Sequence, residues 1–361
     1  MRKQLCSLIC ILFGASTLLA HDTTEQTNPP STFQRGKEMQ ATTPSGPRAA
    51  DGVNLNLSVD FLWWKATQDG LAYATSGVLS NVGNDLTSRG EQKTPDFGWD
   101  PGFKFGFGAA LPWDHWDFQL QYTWLYSHNN TSRIRDVNGN ISPAVQVGSL
   151  TSNTTELTAI TSARSSWDLH FNVIDMELGR NYYVSKHITL RPFGGLKWTW
   201  QDQDWSVTYN ADSVSVNGSS RDAQGGVRMN QDQFLWGVGI RTGLNSQWYV
   251  TSDWSIFVNT AFSALWNDYS VKRRDKFQPL GTEATVTLDT KSSSYHVHGV
   301  AELQLGMMGE WWFYNNDFHF AISAAYEQQV WINYGTFTYL TDREAGDLSL
   351  HGLTVKARFD F

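Results

Sequence analysis

The sequence predicts an all-β chain: a transmembrane, antiparallel up-and-down β-barrel with at least ten strands and a range of 10–14. Three observations carry this. Apolar residues recur with a period of two in ten separate stretches, the mark of strands with one apolar face. The gaps between those stretches alternate short and long. After the first 20 residues no run of about 18 apolar residues occurs, so no helical span is available.

The chain opens with "MRKQLCSLICILFGASTLLA". Arg2 and Lys3 precede an apolar core that ends at the small residue Ala20, which reads as a signal peptide over 1–20. Cys6 and Cys10 are the only cysteines, so the remainder forms no disulfide and no thiolate metal site. The leader carries two bases and no acid, so its removal takes the formal charge from −8 to about −10. An acidic chain without a basic stripe excludes nucleic acid as a partner. Residues 21–50 are polar and rich in Pro, Thr and Ser, and read as a disordered periplasmic segment ahead of a barrel over 51–361.

Taken in order, the first strand is "LNLSVDFLW", with Leu55, Leu57, Val59, Phe61 and Trp63 on one face. "FKFGFGAAL" puts Phe103, Phe105, Phe107, Ala109 and Leu111 together, and Trp116, Phe118, Leu120, Tyr122, Trp124 and Tyr126 form the next face. Trp167 to Tyr183 is an exception. Leu169, Phe171 and Val173 set one phase and Ile174, Met176 and Leu178 the other, which predicts a bulge near Val173. Further faces are Ile188 to Trp200, Phe234 to Leu244, Trp254 to Trp266, Tyr295 to Met307, Phe318 to Tyr326 and Leu353 to Phe361.

Short gaps fall near Pro112–His115, Val184–Lys186, Asn245–Val250 and Gly309–Asn315. Long ones fall at Ala66–Pro101, His128–Ser166, Gln201–Asp232, Asn267–Ser294 and Asn333–Ser349. With one crossing per strand, all short turns lie at one end and all long loops at the other, the layout of an outer-membrane barrel. Weak alternation in Gly70–Thr75, Asp204–Val216 and Ala284–Asp289 leaves room for extra strands or for hairpins above the membrane. The chain holds 17 tryptophans without a long apolar block, which assigns aromatics to the membrane interfaces. Trp113, Trp116, Tyr182, Tyr183, Trp248, Trp254, Trp311, Trp312 and Phe313 fall near the short turns. Trp63, Trp124, Tyr126, Trp198, Trp200, Trp266 and Trp331 fall near the long loops.

The last nine residues, "LTVKARFDF", alternate strictly and end on an aromatic. A membrane-spanning sheet leaves no edge, so the last strand must pair with the first. That assigns Phe361 to the periplasmic girdle.

"VDFLWWKATQDGLAYA" (Val59–Ala74), "WDPGFKFGFG" (Trp99–Gly108), "DMELGRNYYVSKHITLRPFGGL" (Asp175–Leu196), "YEQQVWIN" (Tyr326–Asn333) and "LSLHGLTVKARFDF" (Leu348–Phe361) give the chain a family likeness. It resembles the Legionella-type pore-forming outer-membrane proteins, related to the major-outer-membrane-protein-like porins of chlamydia-like bacteria. The resemblance runs in order over Leu57–Phe361 and implies a porin at the cell outer membrane. Lack of cysteine after the leader departs from cysteine-crosslinked chlamydial porins, so no disulfide network is carried over. A C-terminal aromatic also resembles the signal read by barrel assembly machinery, which makes that machinery an expected partner beside outer-membrane lipid.

If the apolar faces meet lipid, the alternate residues line the pore: Asp60, Lys104, Asp117, Asp175, Glu177, Arg191, Lys197, Arg241, Asp253, Glu302, Glu327, Lys356 and Arg358. Interior charges of both signs must pair or be hydrated. The expectation is a water-filled diffusion channel for ions and small hydrophilic solutes. A filled, salt-bridged interior is the structural alternative, and a surface adhesin or receptor acting through long loops is the rival function. His296 and His298 share a strand face, but the sequence shows no third ligand and the pair reads as structural. No nucleophile elbow, HExxH or phosphate-binding loop occurs, so no catalytic site, metal or cofactor is expected. Homo-oligomerisation is left open.

Overall fold

The computed structural model describes residues 55–361, apart from 77–78, 83–84, 89, 112–115, 137–140, 146–154, 217–218, 222–224, 280–282, 284, 314–317 and 339–342. The leader, the polar segment over 21–50 and Trp113 lie outside the described residues.

Ten long strands build the barrel: β1 (Leu55–Gln68), β2 (Trp99–Ala110), β3 (Trp116–Arg135), β4 (Thr155–Arg180), β5 (Ile188–Val216), β6 (Gly225–Tyr249), β7 (Trp254–Pro279), β8 (Thr285–Phe313), β9 (Phe318–Thr338) and β10 (Arg343–Asp360). Each pairs antiparallel with the next. β1 pairs with β10 from Asn56 opposite Asp360 to Gln68 opposite Leu348, which closes the sheet. Leu55 and Phe361 then exchange both backbone hydrogen bonds at 2.9 Å. The terminal residue is therefore the last rung of the closing ladder.

Short strands decorate the long-loop end. Ala74–Ser76 lies between Glu91–Lys93 and Ile141–Pro143, and Ile141 sits opposite Ile160 of β4. Gly70–Thr75 thus contributes to one short strand that is not one of the ten wall strands. Asp204–Val216 is the upper part of β5, and most of Ala284–Asp289 is the start of β8.

The faces swap roles part-way up. On β7 the outward residues from Trp254 through Val258 and Phe262 to Trp266 are apolar, and the next ones, Asp268, Ser270, Lys272 and Arg274, are polar. Inward, Ser255, Ser263 and Asn267 give way to Tyr269 and Val271. The same reversal recurs at a similar level on β1, β5, β6, β8 and β10, at Trp63 to Lys65, Trp200 to Asp202, Phe234 to Asp232, Tyr295 to Ser293 and Leu353 to His351, whereas on β9 the outward Val330 and Ile332 stay apolar. Below this level the outside meets hydrocarbon and the inside carries polar groups. Above it the outside meets water and the inside is mainly apolar, with the buried Arg273–Asp275 pair and the glutamines Gln203, Gln231 and Gln233 set into it. The thirteen residues from Trp254 to Trp266, tilted by about 40°, rise about 30 Å, the thickness of a bilayer's hydrocarbon.

Aromatic side chains mark both edges of this belt. At the upper edge Trp236 packs against Trp266 (ring centroids 5.6 Å), Trp266 stacks on Tyr295 (5.4 Å), and Trp236 Nε1 donates to Asp268 at 3.2 Å. At the lower edge the rings run from Trp254 through Trp311 and Phe320, and from Phe318 through Phe359 to Phe361.

The reversal corrects three expectations. No bulge occurs at Val173: β4 stays in register with β3 and β5 through this segment. Leu169, Phe171 and Val173 point into the upper core, while Ile174, Met176 and Leu178 point to lipid, so the phase change belongs to the surroundings and not to the backbone. Trp331 is not a girdle residue but is fully buried inside the barrel. At least three of the long loops are mostly strand: β5 and β6 are separated only by residues 217–224, β7 and β8 by residues 280–284, and β9 and β10 by residues 339–342.

Two outcomes test this arrangement. Val258→Arg places a cation against lipid and is expected to cost about 2–4 kcal/mol in vesicle unfolding titrations. Phe171→Asp, in the upper core, is expected to cost at least about 3 kcal/mol, while its outward neighbour His170→Asp costs under about 1 kcal/mol. Equal losses at 170 and 171 would contradict the inward placement of Phe171.

Candidate functional site

The lumen at membrane depth is a lattice of ion pairs. Cross-strand register builds it: Asp60 on β1 lies opposite Lys356 on β10 and Lys104 on β2. Lys104 Nζ reaches Glu327 Oε1 on β9 at 2.6 Å and sits 4.9 Å from the Trp64 ring. Glu327 also accepts from Gln329 Nε2 at 3.0 Å, Thr354 Oγ1 at 3.0 Å and Gln304 Nε2 at 3.4 Å.

Across the lumen Arg191 Nη2 bonds Asp117 Oδ1 at 2.6 Å while its Nη1 reaches Glu177 Oε2 at 3.0 Å. Arg241 contacts Glu177 at 3.2 Å, Asp175 at 3.6 Å and also Glu302. Lys197 Nζ closes the set, 2.7 Å from Asp175 and 2.9 Å from Glu302. None of these paired side chains is more than 16% exposed. Six carboxylates (Asp60, Asp117, Asp175, Glu177, Glu302, Glu327) face five cations (Lys104, Arg191, Lys197, Arg241, Lys356), so the lattice is near neutral.

Gly179, opposite Asp117 in the ladder, gives the lattice room. A Cβ there would stand 2.5 Å from Cζ of Arg191. Phe193 lies between the two guanidinium groups, 5.5 Å from Arg191 and 5.6 Å from Arg241. Sequence reading missed Phe193. Its signal is an aromatic out of phase with the lipid-facing series, followed by Gly194 and Gly195.

Below the lattice, at the short-turn end, His319 bridges Asp360 (2.7 Å) and Glu310 (3.2 Å), and Arg358 pairs with Asp360 at 2.5 Å. Above it, Trp167 Nε1 donates to Gln203 at 3.1 Å, Gln201 Nε2 to Thr199 at 2.8 Å, and Tyr334 OH to Gln201. Then comes the apolar core, with Leu62, Trp167, Phe171, Trp205, Val207, Tyr269 and Leu348 buried. Leu71, Tyr73 and Ala74 enter this core from the connection between β1 and β2. Tyr209 OH donates to the Tyr73 carbonyl, and Tyr73 OH meets Ser132 Oγ at 3.1 Å.

Of the expected lumen residues, Asp60, Lys104, Asp117, Asp175, Glu177, Arg191, Lys197, Arg241, Glu302 and Glu327 meet in the lattice. Lys356 is half-buried beside Asp60. Arg358 sits at the lower mouth with its side chain 38% exposed. Asp253 is misplaced by the sequence reading: it is exposed in the turn before β7, where its carbonyl accepts from Glu310 N at 2.9 Å.

A closed ten-stranded barrel with an apolar outer belt, aromatic edges and a charged lumen defines an outer-membrane β-barrel protein. The sequence profile described as "Legionella pneumophila major outer membrane protein precursor" matches residues 49–361, and the chain belongs to that family. Its place is the cell outer membrane. No curated protein sequence matches the chain. Among solved structures it is similar to the outer membrane protease OmpT from Escherichia coli, at 10% identity over 85% of this chain and 96% of that one, with a TM-score of 0.31. It is also similar to a Pseudomonas aeruginosa FadL homologue (10% identity, 90% and 96% covered, TM-score 0.25) and to the CymD monoaromatic hydrocarbon channel (9%, 86% and 88%, 0.29).

Removing one member of a buried pair strands its partner's charge. Lys104→Met is therefore expected to cost about 3–5 kcal/mol, and adding Glu327→Leu to recover much of the loss. Additive losses in denaturant titrations would mean that Lys104 and Glu327 do not act as a pair.

Proposed function

We propose that the protein is a narrow, gated pore for ions and small hydrophilic solutes, closed in the state described. One observation carries this. The chain fills its upper lumen mainly with apolar side chains and a single-strand pair, Arg273–Asp275, yet gathers at least ten charged groups at membrane depth. A buried ion pair is rarely more stabilising than well-packed apolar residues, so charge at this depth needs a reason beyond folding. An ion path supplies one, because paired side chains exchange partners with passing ions and water at little net electrostatic cost.

Opening on this reading has two parts. The Tyr73 segment leaves the upper core, and the Arg191–Glu177–Arg241 chain separates enough to admit water. A ten-stranded wall limits the bore, which sets conductance below that of wide porins. The proposal assigns the barrel no reaction.

Planar-bilayer recording of the purified protein is the test. Small conductance steps are expected, and Arg191→Gln with Arg241→Gln should shift the reversal potential toward cations by leaving Asp117, Asp175 and Glu177 in excess. Replacing Tyr73 with Ala should raise the fraction of time open. Silence at all voltages and salt concentrations would remove the pore.

A surface adhesin or receptor would then lead. The observation that favours it is the barrel section above the membrane, sealed by its own core and presenting a polar outer wall. Deleting residues 136–154, which connect β3 to β4, would abolish binding on that reading and leave the membrane section folded.

A further inference from the structure

We propose that His296 and His298 on β8, with the phenol of Tyr269 on β7, form a binding site for one borderline divalent transition-metal ion of the Zn²⁺, Ni²⁺ or Cu²⁺ class, with water completing the coordination. The sequence offered two imidazoles and no third ligand. The fold supplies the third from the neighbouring strand, where Tyr269 lies opposite Ser294, one pleat above His296. Its ring is 5.9 Å from that of His296 and 5.3 Å from that of His298, and the two imidazoles are 5.9 Å apart.

Three polar atoms in this cage lack a hydrogen-bond partner among the described residues: His296 Nε2, His298 Nε2 and the Tyr269 hydroxyl, all buried. His298 itself is only 4% exposed. Its Nδ1 lies 2.9 Å from the Ile332 carbonyl, which only a protonated Nδ1 can satisfy. The carbonyl therefore fixes the tautomer and turns an unprotonated Nε2 into the cage. That is how an outer hydrogen bond orients a metal-ligating histidine. Two neutral imidazoles suit borderline ions and are poor ligands for Ca²⁺ or Mg²⁺, and Tyr269 would join them as phenolate, its proton passing to water as the ion binds.

The wall beside the cage is where the regular ladder breaks. The ladder between β8 and β9 ends at Val300 opposite Trp331, although β8 continues upward to Thr285. β9 turns inward there through Asn333, whose φ is +53° and whose N–H is held by Asp347 Oδ1 at 2.7 Å, and it pairs again only from Gly335, with β10. Tyr334 follows that turn into the lumen, with its ring 6.4 Å from Tyr269. The break begins beside His298, level with the upper aromatic edge of Trp266 and Tyr295, and Ile332 of β9 stays against His298 through its carbonyl.

The test uses the full chain purified from outer membranes and Zn²⁺ alone. Calorimetry is expected to show one ion per barrel, with affinity falling at least tenfold in His296→Gln and in His298→Gln, and less in Tyr269→Phe. Zinc-edge X-ray absorption of the wild-type protein loaded with one equivalent should show scattering from two imidazoles. It decides the matter without variants if those fail to assemble. A wild type that binds no Zn²⁺, as when a water fills the cage, overturns the proposal. So does equal affinity in the His296→Gln/His298→Gln double variant, or a spectrum without imidazole scattering.

Discussion

Each strand of this barrel passes from hydrocarbon into water, and that change of solvent along a continuous backbone governs the rest of the structure. In the bilayer no water satisfies a peptide group, so the sheet must close and every rung must be made. Closure fixes the pairing of β1 with β10 and gives Phe361 its place. Once the wall is closed, the outward face is apolar only as far as the bilayer reaches. Trp200 and Asp202, two residues apart on one face of β5, show how narrow the transition is.

The interior follows from the exterior. Where lipid covers the outside, the strands turn polar side chains inward, and charged ones must meet partners because nothing else solvates them. Arg241, with three carboxylates around it, shows how completely this is done. Where water covers the outside, the same inward positions on the same strands carry Trp205, Val207 and Tyr209, and stabilisation returns to apolar burial. The protein is a membrane barrel and a water-soluble barrel joined end to end, and a pore through it has to cross both kinds of interior. The site offered for a metal ion lies at the seam, where the β8–β9 ladder ends.

Family membership and fold place the chain in the outer membrane without choosing its work. That choice rests on the lattice. A structural barrel is free to fill its lumen with leucine and valine, and above the membrane this chain largely does so, around the buried pair Arg273–Asp275.

Period-two alternation, alternating gap lengths and a terminal aromatic were enough for the sequence by itself to determine the barrel, a minimum of ten strands, the alternation of short turns and long connections, and ten of the charges that meet inside. These are local properties: side-chain facing depends only on position along a strand. Sequence patterning misjudged what depends on surroundings. Phe171 and Ile174 are both apolar and three residues apart, and nothing local says that one meets a core and the other lipid. Asp204 to Thr208 reads only as weak alternation, an extra strand or a hairpin above the membrane, because a polar outward face with an apolar inner one resembles any soluble strand. Trp331 has the composition of a girdle residue and the position of a core residue. Which cation holds which carboxylate, where Phe193 sits, and that Tyr269 meets His296 and His298 were decided only by tertiary structure, because these contacts join residues whose distance is set by closure and register across the lumen, not by the chain between them.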